Sequence, residues 1–228
     1  MSARSGAARP KARIASTTAG MLISERVYRQ LKRDIVTGVF EPGSGLTESL
    51  LTQRFKASRT PIREACARLQ SESLLELAPN KGYSISAISF RDIQELFQLR
   101  SILENFAVQK ACTRSDTRLL GRLDALAQVH HVHGDRASYL KYLDANFEFH
   151  VTIAELAGNR RIARLIADVM NQLARAGYAS LGHESDTSLA VQHHTAIVKA
   201  IKEGNPKGAQ GAIGVHIEHA RETMLKAV

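Results

Sequence analysis

Three histidines, His150, His194 and His216, fall on the apolar stripes of three separate segments with helical periodicity. One inward imidazole is usually a satisfied core residue. Three that converge from different helices have a common chemical solution, a divalent transition metal, zinc first and nickel next. They lie too far apart in the chain for a zinc finger, so such a site is tertiary. Asn146 stands one turn before His150. Arg100 lies on the inner stripe of another helix, with Glu104 four residues on. A buried guanidinium needs an anion: either Glu104 supplies it, or Arg100 is kept for a ligand carboxylate. Arg59 and Arg63 sit a turn apart near the start of a short helix. They are able to grip a guanine edge or a phosphate, or else they form a solvated basic face.

The elements that position the two arginines read as follows. Val27, Leu31 and Ile35, with Tyr28 beside them, predict a helix over 24–37 that stops at Gly38. Residues 41–45 predict a loop. Thr47 caps a helix over 48–55 whose core side is Leu50, Leu51 and Phe55, and Lys56-Ala57 make a tight turn. Ser58 or Thr60 caps a third helix with Pro61 in its first turn. Ile62, Ala65, Cys66 and Leu69 form its core face, leaving Arg59, Thr60, Arg63, Ala67 and Gln70 on the other; Cys66 is core filler. Leu74–Leu77 predicts a strand, 79–82 a turn, and alternating Tyr83, Ile85 and Ala87 a second strand. The result is a winged helix-turn-helix with Lys81-Gly82 at the wing tip, the geometry that enters a major groove.

After Ile88 the pattern is all helical. Ser89 with Asp92 predicts a capping box. Six helices follow at about 89–113, 115–132, 135–157, 159–180, 186–204 and 206–227, an antiparallel bundle. The fold class is therefore mainly α: an N-terminal winged helix-turn-helix (21–88) after a disordered basic tail (1–20), then an all-helical bundle (89–228). The remaining histidines, at 130, 131, 133, 183, 193 and 219, read as loop or surface residues.

Charge divides the same way. Residues 1–88 hold 14 Lys/Arg against 7 Asp/Glu, while 89–228 hold 17 against 15 and all nine histidines. The first part suits a polyanion and the second suits metal or proton chemistry. No apolar stretch reaches the roughly 20 residues of a membrane helix, and the N-terminus lacks the apolar core of a secretory signal. Two cysteines make no disulfide framework and fit a reducing cytoplasm.

The run Leu46–Ala65, with Ser58-Arg-Thr-Pro-Ile-Arg-Glu-Ala65 at its end, then Leu69, Leu74-Leu75 and Lys81-Gly82-Tyr83, resembles the GntR family of bacterial transcriptional regulators over about 24–88. Lys56-Ala57 stand where Gly-Val is usual, Ser73 where Gly is usual, and Ser49 where Arg is frequent. Phe149-His150, Gly158-Asn159, His194-Thr-Ala-Ile197, His216 and Leu99-Arg100 with Leu103-Glu104 resemble the FCD-type effector domain of the FadR-like branch, over about 90–225. The resemblance implies DNA contacts by Arg59 and Arg63, helped by Ser58, Thr60 and the wing residues Lys81 and Gly82. It implies a metal held by Asn146, His150, His194 and His216, and a small organic acid bound beside it with Arg100. Asp144 lies about 120° from His150 around the helix, off its direction. The implied partners are a palindromic double-stranded DNA operator, the organic acid and a second copy of the chain. Two other readings have the metal itself as signal, or a metal-dependent hydrolase. The second lacks a placed general base, since Glu148 and Glu155 lie off the inner stripe.

Overall fold

The computed structural model describes residues 15–79, 81–179 and 187–226, and its elements follow the apolar spacing of the chain. Helix α1 (Ala15–Val36) buries Val27, Leu31 and Ile35 at four-residue steps. They share one core with Ile62, Ala65, Cys66 and Leu69 of α3 (Arg59–Ser71). Between them lies α2 (Glu48–Phe55), capped by Thr47, whose hydroxyl accepts from the Leu50 amide at 3.1 Å. Ser58 holds the N-cap position of α3 but makes no side-chain cap bond. Strands β1 (Gly45–Leu46), β2 (Leu75–Ala78) and β3 (Gly82–Ile85) form an antiparallel sheet in the order β1-β3-β2, with Leu46 and Leu77 both opposite Tyr83. A polar seam closes α1 on the end of α3: Tyr28 donates to Glu72 at 2.6 Å, and Lys32 reaches the other oxygen of that carboxylate at 2.9 Å.

Three expectations are corrected here. The first helix begins at Ala15, not Ser24, so residues 15–20 are helical; residues 1–14 of the expected tail lie outside the described residues. Gly45 is paired, not looped, because the outer edge of β3 takes a two-residue partner. Leu50 is 42% exposed: Leu51 and Phe55 fill the space under α2, and Leu50 is turned about 100° from its neighbour.

Six helices follow: α4 (Phe90–Ala111), α5 (Thr117–Ala127), α6 (Arg136–Leu156), α7 (Arg160–Ala179), α8 (Ser188–Lys202) and α9 (Pro206–Leu225). The capping box that opens α4 is present, with the Asp92 amide donating to Ser89 Oγ at 3.1 Å and the Ser89 amide to Asp92 Oδ2 at 2.7 Å. Asp116, Asp135 and Asn205 cap α5, α6 and α9 in the same sense. Helix α5 stops at Ala127 rather than near residue 132, because the apolar period lapses in the His130–Gly134 segment. The six helices bury a second apolar cluster, separate from the first, with Phe97, Phe149, Ile153, Leu173, Ile197 and Ile213 among its members. Each such side chain contributes roughly 1.5–3 kcal/mol on burial, which offsets the cost of the polar groups at its centre.

Helix α7 belongs to both parts of the molecule. Its Ile166, Val169 and Leu173 lie in the bundle core. From the same helix, Asn171 donates to Glu72 at 3.4 Å, and Arg175 donates to the Ser86 carbonyl just beyond β3. Among the described residues no helix is long and apolar enough to cross a membrane.

Gly82 has φ +92°, and a Cβ built there meets the Leu46 carbonyl oxygen at 2.6 Å. Lys56 (φ 47°) and Ser73 (φ 56°) hold left-handed backbone without glycine. Gly82→Ala is therefore expected to lower stability by at least about 1–2 kcal/mol, and Ser73→Gly to raise it by up to about 1 kcal/mol. Urea unfolding of the two variants measures both; equal midpoints would contradict the backbone argument.

Candidate functional site

The helix start that carries the two N-terminal arginines is open to solvent. Ser58, Arg59, Thr60, Arg63 and Lys81 are all exposed, and Gly82 is half-buried. The Arg59 side chain forms no hydrogen bond or ion pair with the described residues. Arg63 is 63% exposed at its side chain, yet it is held: its Nε donates to Glu48 Oε1 of α2 at 2.7 Å. That bond keeps the Glu48 carboxyl below its usual range and raises the guanidinium above its own. Sequence spacing alone did not reveal this tether, because it links residues from two helices. The close approach of β1 already requires glycine at position 82, whatever the wing touches.

The three histidines converge. His150 on α6, His194 on α8 and His216 on α9 are all buried, and one ring nitrogen from each lies within 4.8 Å of the others. His150 Nε2 and His216 Nε2 are 3.2 Å apart. Two nitrogens bound to one tetrahedral zinc lie about 3.3 Å apart, from bond lengths of roughly 2.0–2.1 Å. Among the described residues, both nitrogens of His194 and Nδ1 of His216 are buried without a hydrogen-bond partner, and the Phe149 ring stacks on His194 at 4.0 Å. Burial keeps all three rings neutral by lowering their pKa, most strongly for His194 and His216, where the neighbouring rings and Arg100 add to the effect. Neutral imidazoles with free lone pairs are the donors a divalent metal takes, so the residues present fit one.

Arg100 and Glu104 complete the centre. Arg100 Nε donates to Glu104 Oε1 at 2.6 Å, and the other oxygen of that carboxylate lies 2.6 Å from His150 Nδ1. Burial pushes the Glu104 carboxyl up, but Arg100 and His150 outweigh it and hold the group well below the usual carboxylate range. Glu104 thereby fixes His150 as the Nδ1–H tautomer and turns its Nε2 lone pair toward the cluster. Arg100 Nη2 approaches that Nε2 at 2.8 Å and His216 Nε2 at 3.1 Å. A guanidinium N–H and a metal compete for the same two lone pairs. Both sequence readings of Arg100 thus keep a foothold: Glu104 pairs it, and it also lines a cavity.

That cavity, of about 120 Å³, opens beside the cluster between α6, α7 and α9. Arg100, Asn146, His216 and His219 form its polar end. Asn146 is half-buried on this wall. Asp144 is exposed, as its angle on the helix predicts. Of the histidines expected in loops or at the surface, His193 and His219 are half-buried on helices, and His131 is half-buried within a loop. His193 and His219 pack at 5.5 Å, because they neighbour His194 and His216 on helix faces turned toward each other, and His131 bonds Thr187. His183 lies outside the described residues. The role of Glu104 toward His150 was missed; its signal was a second ionisable group on the inner stripe of α4.

Comparison with known proteins agrees with both halves. Residues 95–219, more than half of the chain, match the family model of the FCD domain, and residues 23–85 match that of the bacterial regulatory proteins of the gntR family. An uncharacterized HTH-type transcriptional regulator of Bacillus subtilis (strain 168), YdhC, is 26% identical over 193 residues, 84% of this chain and 86% of the relative. The HTH-type transcriptional repressor RspR of Escherichia coli (strain K12) is 22% identical over 202 residues, 89% of each chain. Among solved structures, E. coli McbR/YncC superposes with a TM-score of 0.74 at 19% identity, over 90% of this chain and 97% of that one, a likeness of fold.

The neutral histidines tie stability to pH. His194 and His216 titrate well below 6.5 in the fold, so under mildly acidic conditions the unfolded chain binds protons that the folded chain does not. Stability of chelator-treated protein is full above about pH 6.5. It is expected to fall as the pH drops toward about 5.5, by up to about 1.4 kcal/mol per pH unit for each ring. Denaturant titrations across that window check it. A flat profile would mean that the rings are hydrated and not sealed in the core.

Proposed function

Because this chain belongs to the gntR family of bacterial regulatory proteins, and among them to those that carry an FCD domain, we propose that a small carboxylate held beside a divalent metal in its helical bundle controls its affinity for a palindromic DNA operator. Like its relatives, it is a DNA-binding transcriptional regulator and not an enzyme. The observation that carries the proposal is the buried trio of neutral histidines, with both His194 nitrogens unpartnered, beside a cavity that Arg100 and His216 line together.

The division of labour falls after Ile88, with 21–88 as DNA-binding domain and 89–228 as effector domain. Arg59 and Arg63 read or clamp the duplex, Ser58, Thr60 and Lys81 reach phosphates, and the Gly82 backbone follows the wing. His150, His194 and His216 hold the metal, zinc or alternatively nickel, with Asn146 as an uncharged oxygen donor. When bound, a divalent metal among neutral donors supplies positive charge and open coordination positions to an organic acid. Arg100 offers its guanidinium to the same carboxylate.

Helix α7 supports a route from cavity to DNA. Met170, Leu173 and Gly177 form cavity wall, while Asn171 and Arg175 grip Glu72 and Ser86 of the DNA-binding module. Phe147, also in the wall, carries Lys32 of α1 at 5.7 Å from its ring. An occupant that prefers one packing of α7 shifts the position of the recognition helix, and by linkage DNA shifts the affinity for the occupant equally. Leu99, Ile102 and Phe106 leave an apolar stripe exposed on the outer face of α4, which supports a homodimer. Its two recognition helices then address half-sites about one DNA turn apart. Free Cys66 and Cys112 suit the reducing cytoplasm in which such an operator lies.

Arg59→Ala and Arg63→Ala are each expected to cost about 1–3 kcal/mol in operator affinity by fluorescence anisotropy, with little change in folding. Specific binding that survives both changes would remove α3 from the interface. His194→Ala is expected to lose metal by elemental analysis and to lose the response to organic acids while keeping DNA affinity. Chelation separates the alternatives: if stripping metal alone switches DNA binding and no acid adds to it, the metal is the signal.

A further inference from the structure

The effector cavity has one charged end and an otherwise uncharged wall. Arg100 is the only Lys or Arg among its described lining residues, and none of those residues is Asp or Glu. Away from the polar end the wall is mostly apolar, with Leu143, Phe147, Met170, Leu173 and Met224, and with Tyr142 among its hydroxyl-bearing residues. The hydroxyls on the wall are mostly committed already. Tyr139 donates to the Gly177 carbonyl at 2.6 Å, Thr223 donates to the His219 carbonyl at 2.9 Å, and Thr187 bonds the His131 amide and ring. The volume of about 120 Å³ is close to the roughly 150 Å³ of an apolar cavity that accepts benzene.

From this we infer that the effector is a monocarboxylate with a compact apolar body, one aromatic or alicyclic ring or a branched chain of similar bulk, and that dicarboxylates, tricarboxylates and sugar acids are rejected. The inference rests on the reading of this cavity as the effector site and narrows it to a chemical class. The single carboxylate meets Arg100 at the polar end. Beyond the metal and Arg100 the described lining offers no cation, so a second carboxylate held away from that end would be buried unpaired, and such an ion is heavily penalised. Each hydroxyl of a sugar acid beyond what Tyr142 and the polar end can take would exchange water for apolar wall, which costs about tenfold in affinity per unsatisfied group. Met170 and Met224 are unbranched and adjust to the outline of a ring.

The test uses the full chain, zinc-loaded and chelator-treated in parallel. Calorimetric titration and thermal melts are run with benzoate and cyclohexanecarboxylate against succinate, citrate and gluconate, with benzamide as the uncharged control. The expected result is that the two ring acids bind at least tenfold more tightly than the other three acids and raise the melting temperature. Benzamide is expected to bind at least tenfold more weakly than benzoate. Citrate, succinate or gluconate binding as tightly as benzoate overturns the class and leaves the carboxylate reading intact. Benzamide binding as well as benzoate overturns the anion contact. No acid binding to the zinc-loaded chain overturns both the class and the effector reading. Ala220→Phe, with Ala174→Phe as a second cavity-filling variant should the first fail to fold, is expected to lower benzoate affinity at least tenfold with zinc content unchanged. Unaltered benzoate affinity in a folded variant places the acid elsewhere and overturns the assignment.

Discussion

A carboxylate with almost no contact with water has to be surrounded by donors, and Glu104 is surrounded by two. One oxygen takes the Arg100 guanidinium and the other faces His150, both at 2.6 Å. Removing Arg100 would strand a charge in the bundle, and removing His150 would leave one carboxylate oxygen without its donor, so the three residues stand or fall as a unit. The order of the rest follows. With Nδ1 of His150 committed to Glu104, only Nε2 remains to face His216 and His194. With Nε of Arg100 committed, its Nη2 is brought against those same rings. The polarity of the cavity is set by the same arrangement, because the one guanidinium available to it is tethered at one end of the wall.

Much of this was legible in the chain because it is local. Four-residue spacing of Val27, Leu31 and Ile35, the Thr47 cap and the box at Ser89 and Asp92 are decided within a few residues, and each appears where the spacing puts it. The three histidines were legible for a related reason: a polar residue on an apolar stripe must find a partner, and three on separate stripes imply a common one. What was not legible depends on contacts between elements. The two residues of β1 exist only because β3 offers an edge. Glu104 shares a helix with Arg100, so that pair could be read, but His150 comes from α6. The half-burial of His193 and His219 follows from α8 lying on α9, which no periodicity within either helix encodes.

The shared helix α7 gives the molecule its coherence. A twenty-residue helix with sharply different faces would ordinarily bury one and solvate the other. Here part of the second face is taken by Glu72 and the Ser86 carbonyl. Arg175 is buried at that junction, and burial lowers its pKa from the usual guanidinium value. A polar, sparsely bonded junction next to a densely packed apolar core is where two parts of a chain are most easily displaced as units. Motion in such a molecule is channelled to the seam.

The ion pair between Arg63 and Glu48 bears on how a duplex is told from a mere polyanion. Any acceptor that claims the Arg63 guanidinium must outbid an oxygen already in place at 2.7 Å, and it must do so with an acidic neighbour facing it. A phosphate can also take the guanidinium through two oxygens, but it brings its own negative charge against the Glu48 carboxylate. A base edge presenting two acceptors in the plane of the guanidinium replaces one bond with two. In the proposed docking of α3, Glu48 would suppress loose adhesion to random sequence more than it weakens a specific contact, so part of the discrimination would come from an acid that need never touch a nucleotide.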